Sequence, residues 1–111
     1  MNYRNIACFD VYYYKDYAKA SCIVFEIKTT ERIINNYIEI VKPVKKYIPG
    51  EFYRRELPCI LKVYNKVKED IHLILVDGYV FLGNGKMGLG AYLFKALDSK
   101  IPIIGVAKTF F

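Results

Sequence analysis

The sequence contains no tryptophan, one histidine and three cysteines among 111 residues. With His72 alone and no C-x-x-C pair, sequence neighbours cannot assemble a zinc finger or a thiol redox motif. Cys8, Cys22 and Cys59 are odd in number, widely spaced and set beside apolar residues, the pattern of buried reduced thiols in a reducing, cytoplasmic setting. No apolar run has the length or flanks of a signal peptide or membrane span, because Asp10 interrupts the first candidate. The expectation is a soluble cytoplasmic protein without a membrane partner. Internal repeats and low-complexity segments are also missing, and a chain of this length leaves no room for a second unit, so residues 1–111 are expected to form a single domain.

What is present is apolar and basic. Hydrophobic residues make up 54% and aromatics 16%, enough core volume to exclude a disordered chain. Seventeen Lys and Arg against eleven Asp and Glu give a net charge of +6. Such a surface favours anionic partners, nucleic acid among them, without identifying one.

Apolar and aromatic residues crowd from Ile6 to Tyr14 around Asp10, the composition of a central strand. The Lys15-Asp16 turn joins it to a second strand over Tyr17 to Lys28, and alternation over Tyr37 to Val41 predicts a third. Pro49-Gly50 marks a loop. Leu57, Ile60, Leu61, Tyr64 and Val67 then recur at helical spacing, with Pro58 in the first turn or at a bend. Ile71 to Val76 is a near-continuous apolar run closed by Asp77-Gly78, as in a parallel strand covered on both faces. A glycine-rich loop leads to a second helix over Leu89 to Leu97 and a fifth strand over Ile103 to Val106. The order is α/β: a three-stranded meander followed by α-β-α-β, which calls for a mixed sheet.

Three acids stand out by placement: Asp10 in the first strand, Glu56 entering the first helix and Asp77 ending the fourth strand. If the first and fourth strands are neighbours, Asp10 and Asp77 converge and Glu56 reaches in from above. Clustered carboxylates repel unless a cation neutralises them, and hard oxygen ligands suit Mg2+ or Mn2+. Patterning alone also allows a satisfied buried acid, a helix N-terminal acid and a turn former before glycine.

Five segments carry a family resemblance: Ile6-Ala7-Cys8-Phe9-Asp10-Val11, Tyr47-Ile48-Pro49-Gly50, Arg55-Glu56-Leu57-Pro58, Val76-Asp77-Gly78 and Ile104-Gly105-Val106-Ala107-Lys108. In content and order they resemble endonuclease V. The resemblance implies a ribonuclease H-like fold and a DNA-repair hydrolase that cleaves DNA or RNA near deaminated adenine (inosine). It implies that Asp10, Glu56 and Asp77 bind Mg2+, that Lys108 lies near the scissile phosphate, and that Tyr47, Ile48, Pro49 and Gly50 form a strand-separating wedge. An aromatic face and a rigid proline suit an unstacked nucleotide.

The sequence also departs from the family. Members are longer and carry another acid after the last segment; Gly83 stands where an active-site histidine is expected, and Lys46 where proline is usual. Thr109-Phe110-Phe111 ends the sequence with an apolar patch that suggests a homodimer. Gly83 to Gly88 spells G-x-G-x-x-G, but its place in the chain and the lack of a ribose-binding acid argue for a flexible loop rather than a nucleotide fingerprint. Its backbone amides, with Lys86, suit a phosphate. The alternative to a nuclease is a catalytically weak or inactive nucleic-acid-binding or assembly protein on the same fold.

Overall fold

Alternation of buried and exposed residues sets the first two strands, β1 (Asn5–Tyr13) and β2 (Ala18–Ile27), which pair antiparallel from Asn5↔Glu26 to Tyr13↔Ala18. The computed structural model describes residues 4–28, 30–43, 46, 48–49 and 53–106. Strand β3 (Glu31–Val41) completes the meander, followed by α1 (Tyr53–Tyr64), β4 (Leu73–Asp77), α2 (Leu89–Ala96) and β5 (Ile103–Val106). The sheet order is β3-β2-β1-β4-β5, with β4 parallel to both β1 and β5. This is the mixed sheet expected from the element order, in the ribonuclease H-like arrangement that the family resemblance implies.

Both helices cover one face. Cys59, Ile60 and Val63 of α1 and Leu89 and Leu93 of α2 share one core cluster with Ala7, Phe9, Cys22, Val24, Ile74 and Val76 of the sheet. Stacking of Tyr53 on Tyr92, with ring centres 3.8 Å apart, joins the helices near their N-termini. Close approach of β5 to the segment after β4 requires glycine at position 105, where a Cβ would lie 2.4 Å from the Gly78 carbonyl oxygen.

Four features differ from expectation. Strand β3 begins at Glu31 rather than Tyr37, because the register with β2 shifts between Val24 and Phe25 and Ile34 is passed over. That bulge resets the face on which each residue falls, so the apolar alternation on either side does not add up in the sequence. Helix α1 starts before the Leu57 stripe and holds Pro58 inside it. Its C-terminus tightens through Lys66 N–H to Val63 O and Val67 N–H to Tyr64 O, leaving Val67 beyond the helix. The glycine-rich loop is a closed turn: Phe81 and Met87 form an antiparallel bridge, Leu82 N–H donates to Lys86 O, and Gly85 takes φ +81°.

Candidate active site

Parallel pairing between β1 and β4 runs from Ile6↔Leu73 to Phe9↔Val76. Asp10 and Asp77 are the next residues on each strand, so they stand abreast where β4 ends, on strands roughly 4.8 Å apart. Phe9 and Val76 point into the helix-covered core; alternation therefore turns both aspartates toward the opposite face, where they are exposed. On the outer side of Asp10, Ser21 Oγ donates to its backbone carbonyl at 3.5 Å.

Glu56 enters from the helix side. It lies in the first turn of α1 and is only 6% exposed. The Tyr13 hydroxyl donates a hydrogen bond to Glu56 Oε2, and the Arg55 guanidinium lies 3.7 Å from the centre of the Tyr13 ring. Burial, then the charges of Asp10 and Asp77, push the Glu56 carboxyl up to about 8. The three acids thus share one electrostatic neighbourhood. Among the described residues, however, no group of three or more His, Cys, Asp and Glu side chains is gathered closely enough to hold a metal ion.

The donor chemistry nevertheless fits a hard divalent cation. All the groups are carboxylates, their mutual repulsion is already felt by Glu56, and a cation would relieve it. Magnesium in particular is held by one or two carboxylates, with water and substrate oxygens filling the remaining positions. An adjacent aspartate pair with a protonated glutamate behind it matches that demand better than it matches a cation fully enclosed by protein. The cysteines offer no competing site: burial raises all three thiols, Cys22 to about 12, so they stay protonated.

The other residues singled out by sequence are spread around this centre. Ile48 and Pro49 are exposed, while Tyr47, Gly50 and Lys108 lie outside the described residues, as does the apolar end proposed for dimerisation. Lys86 is exposed in the Phe81–Met87 turn, and its backbone N–H donates to Asn84 Oδ1 at 3.0 Å. His72 sits at the opposite end of β4 from Asp77, where its Nδ1 accepts the Asn5 N–H at 3.0 Å and helps fasten β1 to β4. Tyr13, the partner of Glu56, escaped the sequence reading because it looks like one more core aromatic. The only signal for it is its two-residue step from Phe9 and Val11, which puts it on the face that α1 covers.

A family model described as Endonuclease V matches residues 1–111. Endonuclease V of Thermosipho melanesiensis is 32% identical over 103 residues, covering 93% of this chain and 44% of the relative. That of Clostridium acetobutylicum is 34% identical over 98 residues, covering 86% and 40%. Among solved structures, Bacillus subtilis endonuclease V superposes with a TM-score of 0.85 at 26% identity, over 97% of this chain and 46% of the other. The Streptomyces avermitilis enzyme gives 0.83 at 27% identity, over 95% and 46%. The chain spans less than half the length of each of these relatives.

Proposed function

The chain belongs to the endonuclease V family, and from that premise we propose that it carries the carboxylate centre of a magnesium-dependent endonuclease cutting phosphodiester bonds near deaminated bases in DNA or RNA. The supporting observation is the pair Asp10 and Asp77, abreast on parallel neighbours, with buried Glu56 raised to about 8 by burial and by both their charges.

In this reading Asp10 and Asp77 would hold the cation and Glu56 would complete the acidic set. A bound divalent ion would polarise a phosphate oxygen and stabilise the charge that develops there. Glu56, protonated near neutral pH and held by the Tyr13 hydroxyl, keeps a proton near the aspartates that it would give up in the presence of a bound cation. Tyr47, Ile48, Pro49 and Gly50 act as the wedge at the lesion, with Lys108 and Lys86 meeting phosphates. Manganese can replace magnesium, because both accept carboxylate oxygen.

Incubation with Mg2+ and inosine-bearing DNA and RNA oligonucleotides tests this, with adenine-bearing oligonucleotides as controls. Cleavage near inosine that disappears in Asp77→Asn, while the melting temperature is retained, is the expected result. No cleavage by the unaltered chain, or cleavage indifferent to Asp77→Asn, overturns it. The exposed Gly83, where the family has a histidine, favours a second reading as a nucleic-acid-binding protein without cleavage. Binding that survives Asp10→Ala and weakens steeply with salt, with no hydrolysis, is its signature.

A further inference from the structure

Beyond Asp10 the same face of β1 continues as a row of exposed tyrosines. Tyr12 is 63% exposed and Tyr14 44%. Their ring centres are 5.2 Å apart, and Tyr14 stacks on Tyr17 at 4.6 Å with 15° between the planes. Lysines alternate with these rings across the strands. Lys19 is the cross-strand partner of Tyr12, and Lys42 Nζ lies 5.8 Å from the centre of the Tyr17 ring. Lys15 and Asp16 form the exposed turn between β1 and β2, so Lys15, Lys19 and Lys42 outnumber Asp16 around the rings.

Packing does not account for this group. Aromatics that serve a core are covered, as Phe9 is at 4% exposure, whereas Tyr12 and Tyr14 stay exposed at the tip of a hairpin. Flat aromatic faces interleaved with ammonium groups are the chemistry that holds unpaired nucleotides: bases stack on the rings while phosphates meet the lysines. Each second residue advances along β1 by roughly 7 Å, so the row leads stepwise away from Asp10.

We propose that Tyr12, Tyr14 and Tyr17, with Lys19 and Lys42, form a stacking platform that binds single-stranded nucleic acid as it leaves the carboxylate centre. The platform's purpose rests on the nuclease reading, but its binding does not require cleavage. Double-stranded nucleic acid keeps its bases stacked and offers the rings nothing, so the platform selects the unpaired strand.

The test is fluorescence anisotropy of the full chain with a labelled oligothymidine and with an abasic oligomer of equal length, both in EDTA so that no hydrolysis enters. Tyr14→Ala weakens oligothymidine binding about tenfold, and Tyr12→Ala with Tyr14→Ala about a hundredfold, the size of one and two base–aromatic stacks. Tyr14→Phe keeps the affinity within about twofold because the ring remains. Tyr14→Leu, which preserves apolar bulk for the hairpin, loses affinity as alanine does. Affinity for the abasic oligomer stays the same in all of them. Oligothymidine binding that is undetectable in the unaltered chain, unaffected by the double change, or lost equally with the abasic oligomer overturns the platform. Since EDTA silences cleavage, such a failure leaves the nuclease reading untouched, and failure of the inosine assay leaves this result standing.

Discussion

The two faces of the sheet carry similar side chains into different surroundings. Ala7, Phe9, Cys22, Val24, Ile74 and Val76 are sealed beneath α1 and α2. On the other face Ile33 is 67% exposed, Ile104 and Val106 are about half exposed, and Cys8, Ile23, Phe25 and Ile33 line an open groove of about 370 Å³. Cover distinguishes the faces, since both carry β-branched, aromatic and cysteine side chains. The crossovers through α1 and α2 bring both helices to the same side, so the aspartates, which alternate away from that side, emerge on the exposed face. Glu56 comes from the covered side and therefore bears the cost of burial, which the aspartates escape.

The sharpest way to break the comparison is to empty the covered face. Ile60→Ala removes a side chain that is 2% exposed and should cost roughly 2–5 kcal/mol in denaturant unfolding, through lost burial and the cavity left behind. A loss below about 1 kcal/mol would contradict the assignment of this cluster as the main core.

Glu56 sets up a pH-dependent difference between the faces. Its folded pKa, about 8, lies above its ordinary value of 4.5, so folding favours the protonated form. Below the lower value the group is protonated in both states and contributes nothing. As pH rises between the two values, stability falls, by at most roughly 1.4 kcal/mol per pH unit, and above the upper value the full penalty is present. Glu56→Gln removes this slope, so the variant gains on the unaltered chain as pH rises. Urea midpoints compared at about pH 5 and about pH 8 measure it, and equal slopes in the two proteins refute the burial argument. Magnesium binding near neutral pH should release protons, which calorimetry in buffers of different ionisation enthalpy detects.

A smaller effect is expected where β5 meets the segment after β4. Gly105→Ala puts a methyl 2.4 Å from the Gly78 oxygen, beside Asp77. The overlap should cost roughly 1–3 kcal/mol and shift Asp77. Loss of stability together with weaker cation binding is the expected pair, and a variant unchanged in both shows that the backbone absorbs the methyl freely. The smallest effect belongs to the open face: Ile38→Ala, at a side chain 42% exposed, should alter stability by about 0.5 kcal/mol or less. A core-sized loss there would mean that the open face is covered in solution.

Much of the fold was legible because each short element follows a local rule. The run Ile71 to Val76 reads as a buried parallel strand from composition alone, and β4 begins two residues into it at Leu73 and ends at Asp77, while β5 has the bounds that its apolar run predicts. Strand β3 resisted because a bulge breaks the two-residue period on which strand reading depends. Helix α1 resisted at its start because Pro58, tolerated inside it, resembles a beginning. Asp10 and Asp77 were legible as a candidate pair, since one is an acid inside an apolar run and the other an acid that closes one. The partnership of Tyr13 with Glu56 was not, because it joins residues from separate elements that meet only across the packed face.

Local chemistry by itself determined the order of strands and helices, the basic charge and the three acids in their family-like segments. Only the tertiary structure decided which strands are neighbours, which face the helices cover, and how each acid approaches the others. The division has a physical reason: propensity and periodicity act between residues a few positions apart, whereas the pairing of β1 with β4 and the burial of Glu56 depend on contacts between distant parts of the chain.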